Sequence, residues 1–550
     1  MSRPLVIFAL ACFAIAGLVP LATMCASVGA DDLVAIFSER TLSLLGRTLL
    51  LGLSVSAISF LIGVPFGWLV ARTDIPGHSW LRPLGLVPLL MPTLVLAMSW
   101  APLTEMRGAP AAILFLGGST FPLVALMSAR AFERLDGRRE EAARLAGGLR
   151  AVLRMELPLV LPAALVGTCL AFAFAINDFA VPDYVSSVGP KFNVYADEIF
   201  FNWHDFENPG AAIASALPLI ALSMCALVPV LALRRKGAFA TLDGNFVTPA
   251  RLQLGRWRVP AFLFCFAIVG LTTLVPLGRL FWEASGGPRV WTDPSVAAEL
   301  GQILSEEETV VVSLGDRLSV LPSLATQQWS NFQSAFSLAL ERSRSDLRNS
   351  LSWSFQAALA CCIIGLILGH AIERARNRWL GRALEMTALL PLASPAILLG
   401  IGTIVVWNHG PTADFYESGG MSVVLFIGRF ATFAILLLSG AVASLSPSLE
   451  ESAALSGAGP LRRLTSIVAP SLRGSLVACF ILVFVFSMRE LDAALLVPAA
   501  NKTAILRIFN GVHFGRADYV AALTLLLVFA ILLPGLLWSI FARKRLEILP

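Results

Sequence analysis

The chain has 550 residues, of which 57 % are hydrophobic and 14 % are charged, and its formal net charge is +5. Soluble domains carry about 25 % charged residues, so this composition excludes a soluble protein and indicates an integral membrane protein. The net charge is too small to suggest a nucleic-acid partner. The five histidines and eight cysteines show no ligand spacing, so no metal site is predicted and the cysteines are interpreted as small buried apolar residues.

The N-terminal segment imitates a signal peptide, with a basic start, an apolar core and small residues after it. Its apolar run exceeds 20 residues, which is long enough to cross a bilayer. We therefore predict a first transmembrane helix. Cys25 is not a convincing lipid acceptor, because Met24 precedes it where a small residue is expected.

Stretches long enough for a spanning helix, ~20 apolar residues, recur along the whole chain. The sequence contains about twelve of them. They are residues 5–28, 44–71, 81–102, 110–130, 158–182, 210–233, 259–282, 349–371, 383–407, 421–445, 471–497 and 518–541. Since only helices and closed barrels satisfy their backbone groups in lipid, the predicted fold class is an all-α polytopic membrane protein.

The loops between these stretches differ in charge. With the N-terminus inside, basic clusters such as Arg374–Arg378, Arg462–Arg463 and Arg543–Arg545 fall on the cytoplasmic side. Acidic groups such as Asp31–Asp32 and Glu306–Glu308 fall outside. Because short cytoplasmic loops are enriched in Lys and Arg, we predict that both termini are cytoplasmic.

The two halves of the chain repeat each other as parallel six-helix units. Leu61–Arg72 corresponds to Ile363–Arg374, including a pair of glycines four residues apart in each copy, which suits close helix packing. Further correspondences join Val87–Leu96 to Leu390–Leu399 and Asn177-Asp178 to Arg489-Glu490. The predicted organisation is a first unit at 1–234, a flexible cytoplasmic linker at 235–258, and a second unit at 259–550 with an external insert at about 283–348.

One cytoplasmic segment is also duplicated, as Glu140–Pro158 and Glu450–Pro470. Each copy has a glutamate, two small residues, a glycine, a basic run and a proline. These residues are Glu141, Ala142, Ala143, Gly147 and Pro158 in the first copy, and Glu451, Ser452, Ala453, Gly457 and Pro470 in the second. Small residues allow close packing and glycine permits a turn, so the segments are predicted to dock another protein. A plain basic helical loop is the alternative, and the duplication argues against it.

These twin segments resemble the "EAA" motif of the permeases of ATP-binding-cassette importers. The second copy keeps the family's 13-residue step from Gly457 to Pro470, whereas Gly147 to Pro158 is only 11 residues, which suggests a tighter or tilted first docking helix. Ser452 and Ala469 also depart from the pattern. Over nearly the whole chain the sequence resembles the fused two-unit permeases of the ferric-iron and thiamine group, and Phe486–Asn510 looks most like the ferric-iron branch.

The resemblance implies a bacterial inner-membrane transport subunit in which each docking segment is a coupling helix. Two copies of a separate ATPase subunit would bind ATP and Mg²⁺, since no GxxxxGK[ST] phosphate loop occurs in the chain. The chain itself would be no enzyme and would bind no cofactor. An external solute-binding protein would deliver the substrate, with ferric iron expected first and thiamine, polyamine or phosphonate-type solutes as alternatives.

Candidate pathway residues come from prolines and ionisable groups in or beside the spans. Pro92 and Pro395 occupy equivalent places inside spans, where a broken helix is tolerated beside protein or a cavity; ordinary kinks are the alternative. Asn177, Asp178, Arg489 and Glu490 end the fifth apolar helix of each half. Such groups mark pathways, unless they are simply solvated at the membrane edge.

The main alternative function is a secondary transporter built from two parallel six-helix repeats. It predicts paired charges in the centres of the spans, which here appear nearly free of charge. A membrane scaffold without transport activity would leave the duplicated segments without a purpose. The importer is therefore the favoured hypothesis.

Overall fold

A computed structural model describes residues 3–204, 209–237, 247, 250–287, 321–375, 377–496, 498, 502–513 and 517–546. Arg376, the acidic residues Glu306–Glu308 and parts of the predicted linker and insert lie outside these ranges. Among the described residues the only β feature is an isolated bridge between Thr73 and Leu252. The all-α class is confirmed.

The first half contains nine principal helices among its described residues. They are α1 (Arg3–Ala26), α2 (Glu39–Arg72), α3 (His78–Leu90), α4 (Thr93–Thr104), α5 (Gly108–Glu133), α6 (Gly137–Asn177), α7 (Ala180–Val188), α8 (Tyr195–His204) and α9 (Pro209–Gly237).

The described helices of the second half follow a similar order and include α11, which lies within the predicted insert. Its helices are α10 (Gly255–Ala284), α11 (Leu321–Arg342), α12 (Arg344–Glu373), α13 (Arg378–Ala393), α14 (Ala396–Trp407), α15 (Gly419–Ala443), α16 (Pro447–Leu455), α17 (Pro460–Ser471), α18 (Arg473–Met488), α19 (Ala504–His513) and α20 (Ala517–Leu546).

In the described part of the chain, nine helices are long and apolar enough to cross a membrane, and three bent pairs bring the total to twelve. The bent pairs are α3–α4 at 96°, α13–α14 at 97° and α17–α18 at 81°. These spans correspond to the twelve predicted ones, but the predicted span 471–497 ends as a helix at Met488. The pattern of length and hydropathy located the spans, and it could not show that three of them are broken.

The first helix of each repeat packs against the other repeat. In α1, the backbone approaches α15 so closely that a Cβ on Gly17 would lie 3.1 Å from the Gly428 carbonyl oxygen. In α10, Leu271 O accepts a hydrogen bond of 2.9 Å from Trp100 Nε1 of the first repeat. Helices α1 and α10 therefore each contact a helix of the other repeat.

The paired glycines of the second span of each repeat mediate close packing, as predicted. A Cβ on Gly63 would lie 2.7 Å from Val124 Cβ in α5, and a Cβ on Gly365 would lie 2.7 Å from Ala434 in α15. Only glycine allows these helices to approach so closely. The close approach fixes the end of each second span against the same neighbouring helix of its own repeat.

The end of the predicted flexible linker is held in place. Leu252 N donates to Arg72 O at 2.7 Å, and Asp74 N donates to Leu252 O at 3.2 Å. Leu254 N donates to the Asp74 carboxylate at 3.0 Å. The expectation of flexibility is therefore wrong for residues 250–254, because these backbone groups find partners in the loop after α2.

Contacts divide the chain into two units, residues 1–273 with 352–501 and residues 274–351 with 502–550. The first contains both duplicated segments and every candidate site residue. In the second, helix α11 belongs to the predicted insert, and Phe332 of α11 lies 4.7 Å from Phe281 between ring centroids. The second unit is further joined by a hydrogen bond of 2.6 Å between Ser343 Oγ and Tyr519 OH.

Candidate coupling surface and translocation pathway

The duplicated segments form short helices at equivalent places. The first is the start of α6, where the Asp136 side chain accepts a hydrogen bond from Arg138 N, and the second is α16, which begins at Pro447. Polar N-caps and proline at the first helical position both favour a helix start. The predicted pair of docking helices is thus present, one in each repeat.

A buried glutamate anchors each of these helices, and it is the residue before the predicted one. Glu140 pairs with the guanidinium of Arg72, which also binds Glu156 at 3.0 Å. Glu450 accepts from Arg374 Nε at 2.9 Å and contacts His370 Nε2 at 2.6 Å. Because Arg72 and Arg374 correspond in the repeat, each helix is attached to the C-terminal end of the second span of its repeat by an equivalent Arg–Glu ion pair.

The Glu450 carboxyl is perturbed by this environment. Burial opposes its ionised form, but hydrogen bonds from His370 and Arg374, together with their charges, outweigh that effect and hold the pKa of Glu450 below its usual range. A cavity of about 180 Å³ lies beside it and is lined in part by Pro447, Glu451 and Arg463. The second anchor is therefore ionised at neutral pH and adjoins a recess.

The predicted docking residues themselves face outward. Glu141, Ala142, Glu451 and Ser452 are exposed, and Ala143 and Ala453 are half-buried. Two further apolar side chains project from the same surface at equivalent positions, Leu145 with 86 % and Leu455 with 91 % of its surface exposed. We call the exposed face formed by residues 141–146 and 451–456 the coupling surface.

Glycine ends both helices, although the two turns differ. Gly457 has a φ of 82°, and the next amide, Ala458 N, donates back to Ala453 O at 2.9 Å, as in glycine-terminated helices. In the first copy Gly147 is extended (φ −173°) and Gly148 takes the left-handed conformation (φ 61°). The next helical stretch follows directly, so the two missing residues of this copy are missing from the turn.

The two predicted prolines at the ends of the segments occupy different structures. Pro158 lies inside the helical stretch of α6 that follows the break at Gly147 and Gly148. Pro470 lies near the end of α17, immediately before the 81° bend to α18. The repeat is therefore less regular here than the sequence suggests.

Pro92 and Pro395 mark true breaks in two spans. Each is the residue before the second half-helix, at bends of 96° and 97°. Bends of this size break the spans rather than kink them, and the pathway role of the two prolines stays a prediction. The free carbonyls at each break accept hydrogen bonds from an arginine.

At the first break, Arg489 donates to Leu89 O and to Met91 O, the latter at 3.3 Å. At the second break, Arg429 donates to Pro391 O at 3.1 Å and to Ser394 O at 2.7 Å. Helix C-terminal carbonyls carry partial negative charge, and no water is available in the hydrocarbon region to satisfy them. The two guanidinium groups therefore make the broken spans tolerable.

Asp178 and Glu490 are half-buried and bound to backbone amides. Asp178 accepts from Val181 N at 2.9 Å and from Thr93 Oγ1, at the start of α4, at 2.8 Å. Glu490 accepts from the equivalent amide, Ala493 N, at 3.1 Å. Each carboxylate therefore accepts a hydrogen bond from the backbone amide three residues later in its own segment.

Asn177 points to a different neighbour. Its Nδ2 donates to Ala173 O at 2.7 Å and to Ser223 Oγ of α9 at 2.9 Å. The structure thus brings Pro92, Asp178 and Arg489 together at one break, places Pro395 at the other, and leaves Asn177 in helix packing.

Comparison with known proteins identifies the family. The family model described as "Binding-protein-dependent transport system inner membrane component" matches residues 63–237 and 362–546. These two matches, one in each repeat, cover more than half of the chain. The chain belongs to this family. It is a fused, two-unit permease of the ABC importer type and a multi-pass inner-membrane protein.

Relatives of the permease differ in the solute that their names give. It is 31 % identical over 166 residues to the molybdenum transport system permease protein ModB of Escherichia coli, covering 26 % of this chain and 72 % of the relative. It is 24 % identical over 206 residues to the ferric transport system permease protein FbpB of Actinobacillus pleuropneumoniae (34 % and 29 %). It is 29 % identical over 223 residues to a putative 2-aminoethylphosphonate transport system permease protein, PhnV, of Salmonella paratyphi A (38 % and 81 %).

The family assignment decides against the secondary transporter. The centres of the spans are not free of charge, however, because Arg429 lies inside the spanning helix α15 and is 7 % exposed. An ionisable residue in a span is a strong signal in any sequence, and it could have located the second break of the permease.

Sequence reasoning also missed the anchors Glu140 and Glu450. The signal was available, since Arg72 and Arg374 end the repeated stretches Leu61–Arg72 and Ile363–Arg374. The exchange of Trp68 for His370 within those stretches explains why only the second anchor has an imidazole partner. The motif predicted the exposed glutamates Glu141 and Glu451, which follow the anchors by one residue.

Proposed function

We propose that this permease forms the substrate pathway of an ATP-driven importer and that its coupling surface docks two copies of a separate ATPase subunit, which bind ATP and Mg²⁺. The chain would contribute no catalytic residue. Both termini would be cytoplasmic, and an external solute-binding protein would deliver the substrate. The observation that carries the proposal is the duplicated coupling surface, in which each helix is anchored from beneath and exposes a leucine.

The physical reasoning concerns transmission of movement. A docking helix transmits force only if it is fixed to the span that must move, and here the buried ion pairs Arg72–Glu140 and Arg374–Glu450 provide that attachment. Exposed alanine, serine and leucine side chains then suit close packing in a partner's groove. Glu141 and Glu451 would pair with basic residues of the ATPase, and Gly147 and Gly457 would shape the turns.

The broken spans would line the pathway. Pro92 and Pro395 create two half-helix starts, and Asp178, Arg489 and Glu490 lie beside the first break, so movement of either repeat alters this region. Asn177, Pro158 and Pro470 would act through packing and helix geometry. This arrangement supports passage between the repeats.

We propose ferric iron as the substrate, in keeping with the FbpB relative and the stretch Phe486–Asn510. Phosphonate-type solutes and molybdenum, suggested by the names of other relatives, come next, followed by thiamine and polyamines. The test is a binding titration, with each compound, of a solute-binding protein that stimulates uptake by the permease. Tight binding of ferric iron alone is expected, and tight binding of another solute alone would replace this assignment.

The coupling role is tested by charge reversal at Glu141 and Glu451 together (Glu141→Lys with Glu451→Lys). The doubly substituted permease is expected to insert normally but to lose ATPase co-purification and solute uptake. The matched control is Glu39→Lys with Glu105→Lys, at two exposed positions away from the coupling surface. This control should behave as wild type. Full ATPase binding and uptake in the coupling variant would refute the assignment.

A further inference from the structure

Arg489 and Arg429 perform the same chemistry in different settings. Each guanidinium donates to two carbonyl oxygens at the end of a broken half-helix, and the acceptors Met91 and Ser394 correspond in the repeat. Arg429 belongs to the second repeat and so do its acceptors. Arg489 also belongs to the second repeat, but its acceptors Leu89 and Met91 belong to the first. Only the Arg489 contacts therefore depend on how the two repeats are placed.

An aromatic cluster lies directly beside Arg489. The guanidinium carbon is 5.3 Å from the ring centroid of Phe486. Phe486 in turn lies 5.7 Å from Phe174 and 5.1 Å from Phe433. Phe174 and Phe486 occupy equivalent positions of the two repeats, and two equivalent residues can touch only near the axis that relates the repeats. The cluster therefore fills the space between the repeats.

Arg489 also has alternative partners within reach. The carboxylates of Asp178, Glu490 and Asp492 are close enough to interact with its charge. A buried guanidinium that lost its carbonyl partners without compensation would be strongly destabilised. Glu490 and Asp492 follow Arg489 by one and three residues in the same segment, so they stay beside the guanidinium when its contact with the first repeat is broken.

We propose that Arg489 is a latch between the two repeats: it holds the first repeat's broken span against Phe486, keeps the aromatic cluster closed, and is released when the pathway opens. Arg489 is thus a positioning residue that acts through the backbone of Leu89 and Met91. The inference rests on the proposed transport function, since only a transporter needs to open between its repeats. Arg429 serves as the fixed counterpart within one repeat.

The test measures how often the space between the repeats opens. The four cysteines that are exposed or partly exposed (Cys12, Cys25, Cys169 and Cys225) are replaced by serine, and the four buried ones are kept. Ala173→Cys then supplies a reporter thiol. Ala173 is 5 % exposed and packs in a cluster that contains Leu227 of the first repeat and Leu389 of the second, so a maleimide reaches it only when the repeats separate.

In this background Arg489→Gln is expected to raise the rate of maleimide labelling at least about tenfold, because two charge-assisted hydrogen bonds are lost. Arg489→Lys, which keeps the charge but not the two-carbonyl geometry, should give an intermediate rate, and it carries the test if the glutamine variant does not accumulate. Arg429→Gln should leave the rate within about twofold of the parent. Equal rates for Arg489→Gln and Arg429→Gln, whether raised or unchanged, would overturn the latch.

A second readout uses the complete complex with its ATPase. Arg489→Gln is expected to lower the amount of solute imported per ATP hydrolysed, whereas Arg429→Gln should change uptake and hydrolysis in proportion to the amount of folded protein. An unchanged ratio in Arg489→Gln would contradict the proposal. Failure of the transport function itself would appear differently, as absent uptake in the unsubstituted permease, and would not affect the labelling comparison.

Discussion

Replacing Glu450 by glutamine distinguishes the structural role of the buried Glu450 from the docking role proposed for the exposed Glu451. Glutamine keeps the shape of the side chain but removes the charge that His370 and Arg374 face at 2.6 and 2.9 Å. Loss of one partner of a buried ion pair costs ~3–5 kcal/mol. Because Arg374 also donates to Leu445 O at 2.9 Å, part of this cost is offset, and we expect a loss of about 2 kcal/mol in stability.

The assay is thermal unfolding of the purified permease in detergent, followed by the amount of monodisperse protein that survives heating. Glu450→Gln should unfold several degrees below wild type, whereas Glu451→Gln, at the adjacent exposed position, should remain within ~0.5 kcal/mol. Because the folded-state pKa of Glu450 is depressed, its contribution is complete above its unfolded pKa and is lost as the pH falls through the folded value. The difference in stability between wild type and Glu450→Gln should therefore persist near neutral pH, at about pH 6–8, and shrink below about pH 4. Equal unfolding temperatures of Glu450→Gln and Glu451→Gln would refute the anchor.

Three further substitutions test other parts of the structure. Gly457→Ala should destabilise the permease by ~1 kcal/mol in thermal unfolding, because Gly457 has a positive φ. Gly459→Ala is the control and should not destabilise it, because Gly459 has a φ of −64° and open space around it. Burial raises the pKa of Asp197 to about 7, so the stability of the wild-type permease should fall as the pH rises from about 4 to 7. Asp197→Asn should flatten that dependence. The same pH profile of stability in the wild type and in Asp197→Asn would contradict a buried, protonated Asp197. Gly63→Ala should cost ~1–3 kcal/mol because its Cβ would meet Val124 at 2.7 Å, whereas Gly46→Ala on the same helix meets nothing within 4 Å; equal stability of the two variants would argue against close packing.

Local sequence patterns predicted the helices and their number. Apolar length located twelve spans, and glycine spacing identified helix packing that the structure confirms at Gly63 and Gly365. The duplicated segment predicted two equivalent helices that end at glycine. These features depend on neighbours within a few turns, which a single sequence contains.

Features that depend on distant partners were not predictable in the same way. The 96° and 97° breaks at Pro92 and Pro395 require guanidinium groups from elsewhere in the chain, and a proline alone does not show whether such a group is present. Two other features also depend on tertiary contacts. Helices α1 and α10 each contact the other repeat, and residues 250–254 bind the backbone beside Arg72. Glu140 and Glu450 fall between these cases, because their arginine partners are visible in the repeat but their burial is not.

Photo-crosslinking from the coupling surface tests the central claim most directly. A photoreactive phenylalanine analogue is placed at Leu145 or at Leu455, and at the exposed Leu53 in the middle of α2 as a control, in cells that express the ATPase subunit. The account predicts a crosslinked product of permease and ATPase from both coupling positions and none from Leu53. Absence of that product at both Leu145 and Leu455, in cells where the complex forms, would contradict the account.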